Sequence, residues 1–177
     1  MNRLLFVCSG NTCRSPMAEA MARSFLRREG KDCFWSVASA GLAAFPGDEA
    51  AAEARDVMAA RGLSLDGHRS RRLSVYDVDE ARWILTMTFA QRQAVRGLYP
   101  EAERRIRLLA EAASDEAASV LARYDEALSQ EDRAGASRLA AAAEVYDIPD
   151  PFGGAVDSYR FVASRLESLL DLLVKKL

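Results

Sequence analysis

Apolar and polar positions along this chain follow two alternating periods. Leu4 to Val7 is an unbroken apolar run of strand length. It stops at Cys8 and gives way to a polar loop, after which Pro16 suits the first position of a helix, having no N–H to leave unpaired. Met17, Met21 and Phe25 recur at four-residue spacing beside Ala18 and Ala22, which predicts a helix through Arg28 with Gly30 as its C-cap. Residues 33 to 39 read as a second strand, and Ser39-Ala40-Gly41 as a turn off the sheet edge. Asp48 to Arg61 is Ala-rich and helical. Trp83 to Met87 and Ile106 to Leu109 read as two more strands, with a helix over Phe89 to Leu98 between them. Val156, Tyr159, Val162, Leu166, Leu169, Leu170 and Leu173 form the apolar stripe of a long helix over residues 155 to 177. Strands alternating with helices predict an α/β fold, a four-stranded parallel sheet with helices on both faces.

Residues 111 to 144 break this rhythm. Twelve of these 34 residues are Ala, eight are acidic and three basic. They predict one or two exposed helices, Glu111 to Gln130 and then Ala134 to Val145, with a break near Gly135. The expectation is one domain over 1 to 177 that carries a helical insertion, either a surface elaboration or a docking element for a protein substrate.

Composition narrows the class. Half of the 177 residues are hydrophobic and 28% are charged, as in ordinary globular proteins. A net charge of -2 gives no sign of a nucleic-acid partner. Arg outnumbers Lys 21 to 3, which reads first as coding bias. Residues 1 to 7 are too short for a signal-peptide core, and no apolar run has membrane-spanning length. Three cysteines (Cys8, Cys13 and Cys33) make no disulfide framework. Together these predict a cytoplasmic protein without a membrane partner.

The chemistry gathers at Cys8-Ser9-Gly10-Asn11-Thr12-Cys13-Arg14-Ser15-Pro16. A loop from the carboxyl end of a strand into a helix turns successive N–H groups inward, and the helix end adds positive partial charge, so the loop suits a phosphate. Arg14 offers a bidentate fork to two phosphate oxygens. Cys8 at the floor is then a nucleophile whose thiolate the same field favours. Gly10 and Asn11 tolerate the left-handed backbone of a tight ring, and the Ser15 hydroxyl can donate to the Cys8 sulfur. The competing reading is a buried structural cysteine in a βα turn. Cys8 and Cys13 lack zinc spacing and partner ligands, so no metal or cofactor is expected.

The stretch Val7-Cys8-Ser9-Gly10-Asn11-Thr12-Cys13-Arg14-Ser15-Pro16-Met17-Ala18-Glu19 resembles the phosphate-loop signature of the low-molecular-weight protein tyrosine phosphatase family. That group also contains bacterial protein arginine phosphatases and one class of arsenate reductases. Asp150-Pro151-Phe152-Gly153-Gly154 resembles the family's acid loop. The resemblance implies that Ser39 braces the phosphate loop, where a plain turn serine is the rival reading. It implies that Phe45 walls the cleft, where a core-packed Phe is the rival. It also implies that His68, the single histidine, hydrogen-bonds Asn11; a surface histidine and a general base are the other readings. Relatives pass from the fourth strand to the acid loop by a shorter connection, which makes residues 111 to 144 the main departure.

The expected mechanism follows. Cys8 attacks phosphorus, the amides of residues 9 to 14 and Arg14 hold the oxygens, and Asp150 first protonates the leaving group and then activates water. Asp147 is the carboxylate expected to matter little. Cys13 can trap an oxidised Cys8 as a disulfide, and a passive, packed Cys13 is the rival reading. The expected partners are phosphorylated proteins. Thr12 stands where tyrosine-specific relatives carry a bulkier aliphatic residue and arginine phosphatases carry threonine, so phosphoarginine is favoured and phosphotyrosine comes next. Phe45 points the other way, and Phe152 joins these two as a specificity residue. Arsenate reduction needs further thiols near the loop and a binding module needs no nucleophile, so both rank below.

Overall fold

In the computed structural model, which describes residues 1 to 177, the apolar run becomes the central strand β1 (Asn2–Cys8), with Leu4, Leu5, Phe6 and Val7 fully buried. The other strands are β2 (Trp35–Gly41), β3 (Trp83–Thr86) and β4 (Ile106–Leu108). All pair in parallel, in the order β2-β1-β3-β4. Because β1 is buried on both sides it is a continuous apolar run and does not alternate. Leu4, Phe6 and Cys8 face one layer and Leu5 and Val7 the other. The first layer holds α1 (Arg14–Arg28), α2 (Ala52–Ala59) and α8 (Val156–Lys176). The second holds α3 (Val75–Glu80) and α4 (Phe89–Leu98). β2 and β3 lie on opposite sides of β1, so the carboxyl end of β1 is the point where strand order reverses, the usual ligand crevice of such sheets. No helix is long and apolar enough to cross a membrane.

Several boundaries differ from expectation. α1 begins at Arg14, and Pro16 sits third in its first turn, still among the N–H positions that lack an intrahelical partner. β2 starts two residues late because residues 32 to 34 form a turn, which leaves Cys33 exposed outside the sheet. Ser39, Ala40 and Gly41 continue β2 as its last three residues. α2 is shorter than its Ala-rich stretch, since residues 48 to 51 are not helical and the Ala51 N–H donates to the Thr12 carbonyl of the loop after β1 at 2.9 Å.

The segment after β4 forms three helices, α5 (Leu109–Ala113), α6 (Asp115–Ser129) and α7 (Arg133–Glu144). Ser114 caps α6 and so splits the first expected helix. The second break falls at Gln130 to Asp132, where Glu131 has φ 58°. Gly135 lies inside α7: its N–H donates to Asp132 Oδ1 at 2.9 Å, and a Cβ there would collide with that carboxylate. These helices bury Leu121, Tyr124 and Ala127 against Phe89 and Leu108. Phe89 and Tyr124 meet edge to face, with centroids 4.8 Å apart.

Candidate active site

The loop from β1 into α1 is tied down by its own side chains. Cys8 is 2% exposed, and its Sγ lies 3.0 Å from Ser15 Oγ and accepts the Asn11 N–H at 3.2 Å. Asn11 takes φ 56°, the left-handed conformation that Asn tolerates at low cost. Its Nδ2 donates to Ser15 Oγ and to Ser39 Oγ, each at 2.9 Å. Its Oδ1 accepts the Arg71 N–H at 2.9 Å. His68 Nε2 sits 2.7 Å from the Asn11 carbonyl, and because a carbonyl only accepts, that nitrogen carries the proton. Ser39 is buried and donates to Glu19 Oε2 at 2.6 Å. Glycine is required at position 41, since a Cβ there would come within 2.6 Å of the Ser9 carbonyl.

A cavity of about 330 Å³ opens above this loop. Its floor is Cys8, Ser9, Gly10, Thr12, Cys13 and Arg14; Ala43, Phe45 and Asp48 come from the segment after β2, and Asp150 and Phe152 from the loop before α8. Phe45 and Phe152 are 76% and 73% exposed, so both are rim residues and neither is core. Asn11, Ser15, Ser39 and His68 do not line the cavity and support the loop from behind.

Arg14 is 3% exposed. Its Nη1 donates to the Ile148 carbonyl at 3.2 Å, Nη2 pairs with the Asp150 carboxylate, and Nε is buried with no protein partner. Pro149 and Pro151 stiffen the segment around Asp150, whose Oδ1 accepts the Phe152 N–H at 3.3 Å. Asp147 does not line the cavity, and its Oδ1 accepts the Phe89 N–H at 2.7 Å. Burial pushes its carboxyl above the usual carboxylate range. Burial likewise pushes the Cys13 thiol up; its Sγ lies 3.6 Å from both Tyr159 Oη and Thr12 Oγ1.

Two residues here lie outside the sequence expectation. Gln91 donates from Nε2 to Ser9 Oγ at 3.0 Å, while its Oε1 accepts the Met87 and Thr88 N–H groups. The spacing of Thr88 and Gln91 signals a capping box in the sequence, but not the reach to Ser9. Asp48 reads in sequence as an ordinary helix-start residue. Cys33 lies in the turn before β2, away from the carboxyl end of β1 that holds Cys8.

The family described as low molecular weight phosphotyrosine protein phosphatase matches residues 3 to 131. A protein-arginine-phosphatase of Geobacillus stearothermophilus is 33% identical, over 99% of this chain and 95% of the relative. The solved structure of a low molecular weight protein tyrosine phosphatase from T. tengcongensis covers 100% of both chains, with 31% identity and a TM-score of 0.79. That of a YwlE arginine phosphatase mutant with a phosphorylated active-site serine covers 99% of this chain and 95% of the other, at 29% identity and a TM-score of 0.79. The chain belongs to the low molecular weight phosphotyrosine protein phosphatase family, a family of cysteine-dependent protein phosphatases.

Proposed function

We propose that this protein hydrolyses phosphoarginine in protein substrates through a cysteinyl-phosphate on Cys8. Cys8 Sγ attacks phosphorus and the P–N bond breaks, with Asp150 giving its proton to the departing guanidino nitrogen. Water then attacks phosphorus, the S–P bond breaks, and Asp150 takes the water proton, leaving arginine and inorganic phosphate. The N–H groups of residues 9 to 14 and the Arg14 guanidinium hold the phosphoryl oxygens. The buried, unpartnered Arg14 Nε supports this, as does the Arg14–Asp150 pair. A phosphate that takes over the guanidinium leaves Asp150 free for the leaving group. Ser15, hydrogen-bonded to Sγ, stabilises the thiolate as it forms and as it leaves. Ser39 and His68 hold Asn11, and through it the curvature of the loop.

The observation that carries the substrate choice is Thr12 on the cavity floor, a small polar side chain that leaves room for a phosphoguanidino group and can hydrogen-bond it. The full-length similarity to a protein-arginine-phosphatase supports the same choice. Phosphotyrosine is the second reading, favoured by the exposed rings of Phe45 and Phe152 at the rim. Arsenate reduction is disfavoured, because Cys33 lies away from the loop and no other thiol follows it. The free thiols and the thiol nucleophile suit a reducing cytoplasm, and residues 111 to 144 are a helical elaboration of the same domain. The test is turnover of matched phosphoarginine and phosphotyrosine peptides by wild type and Thr12→Ile. Wild type should prefer phosphoarginine, and the variant should shift toward phosphotyrosine; a wild-type preference for phosphotyrosine refutes the assignment.

A further inference from the structure

Asp48 lines the cavity that holds Cys8 and Asp150, and so brings a second acidic residue to it. The turn that carries it is fixed to the body by Ser70. The Ser70 hydroxyl donates to the Phe45 carbonyl at 2.5 Å and accepts the Asp48 N–H at 3.0 Å. Two backbone bonds add to this, Gly47 N–H to the Ser70 carbonyl and Ser70 N–H to the Asp48 carbonyl, each at 2.8 Å. One small rigid turn therefore delivers an aromatic ring and a carboxylate together to the mouth of the site. The nearby cations Arg55 and Arg69 both pair with Glu49, so neither neutralises Asp48.

Phosphoarginine and phosphotyrosine differ most in what lies just behind the phosphoryl group. A guanidino group is planar and carries several N–H donors, whereas a phenol ring is planar and carries none. An aromatic rim alone accepts either, because both present a flat face. A carboxylate facing the same plane discriminates, since it pairs with guanidino N–H groups and would be desolvated without a partner against a phenol. We infer that Asp48 is a specificity-determining residue, whose carboxylate accepts the guanidino N–H groups of phosphoarginine while the Phe45 ring covers the guanidino plane. This rests on the phosphoarginine reading above, and it turns Phe45 from an argument for phosphotyrosine into part of a guanidino clamp.

The test compares kcat/KM on phosphoarginine and phosphotyrosine peptides of one sequence, for wild type and Asp48→Asn. Loss of one charge-assisted hydrogen bond should lower the phosphoarginine-to-phosphotyrosine ratio about tenfold, mostly through KM for the phosphoarginine peptide. Ser70→Ala, which frees the turn, should lower the same ratio in the same direction. An Asp48→Asn enzyme that keeps the wild-type ratio overturns the role of Asp48 and leaves the phosphoarginine reading standing. A wild-type enzyme inactive on phosphoarginine and active on phosphotyrosine overturns both.

Discussion

Gln91 Nε2 donates to Ser9 Oγ at 3.0 Å, joining the first turn of α4 to the residue after Cys8. The same turn supports the loop before α8, because the Phe89 N–H donates to Asp147 and the Ile148 N–H to the Met87 carbonyl at 2.9 Å. One helix start therefore sets the spacing between the two halves of the site. Gln91→Leu would remove the bond to Ser9 and orphan the buried N–H of Met87 and the half-buried N–H of Thr88. The expected cost is about 2 kcal/mol of stability. Phosphate binding should weaken as well, read as a raised inhibition constant for inorganic phosphate. Wild-type phosphate affinity in this variant would show that the bond does not position the loop.

Arg92, one residue along, is fully buried and fastens α4 to the helices after β4. Its Nε donates to Glu111 at 3.0 Å and its Nη2 to Asp125 at 2.7 Å. Arg92→Met should cost about 3 kcal/mol, because Glu111 keeps its buried charge and loses its cation. That corresponds to a fall in Tm of about 10 °C. Asp125→Asn should cost less, since Arg92 retains Glu111. Equal losses in the two variants would mean that Asp125 alone carries the contact.

The loop from β1 into α1 was legible because its features are local: Cys8, the left-handed Asn11, Arg14 and the helix start follow one another in a single stretch. The parallel sheet was legible for a similar reason, since strands buried on both faces stay apolar without alternation. What the sequence hid depends on contacts between distant segments. Gln91 lies 82 positions from Ser9, and within its own helix it reads only as a cap. Asp48 looks like a helix-start acid, yet the chain is not helical there and Ser70, 22 positions on, fixes it. Gly41 reads as a turn residue but is a strand residue kept small by the loop pressed against it. The helix break at Ser114 was hidden in an Ala-rich stretch, where every window favours helix, whereas the gap between Gln130 and Ala134 was legible and falls at Gln130 to Asp132.

The two neighbouring carboxylates should separate cleanly. Burial raises the Asp147 carboxyl, so the folded protein holds that proton more tightly than the unfolded chain does. The resulting stabilisation is complete below the ordinary aspartate value of about 3.9 and is lost as pH rises through the raised value. Asp147→Asn keeps an oxygen for the Phe89 N–H and removes the buried charge. Its stability relative to wild type should therefore increase between acid and neutral pH, read from Tm against pH. Its kcat should stay within about threefold of wild type, whereas Asp150→Asn should lose about a hundredfold or more. A flat difference in Tm across that pH range would contradict the raised Asp147 carboxyl.

Cys13 shares the cavity with Cys8, and burial keeps its thiol protonated at neutral pH. Peroxide should oxidise Cys8 to a sulfenic acid. The Cys13 sulfur can then displace water from it to form a Cys8–Cys13 disulfide, which an added thiol reduces. The displacement requires the Cys13 thiolate, so its rate should climb about tenfold per pH unit below the raised pKa. Wild-type enzyme treated with peroxide should recover its activity with dithiothreitol. Cys13→Ser should recover poorly and accumulate sulfinic acid at Cys8, visible as a gain of two oxygens by mass spectrometry. The gap between the two proteins should widen as the pH of the peroxide treatment is raised. Equal recovery of the two proteins at every pH would mean that Cys13 does not protect the nucleophile and serves only to pack against Tyr159.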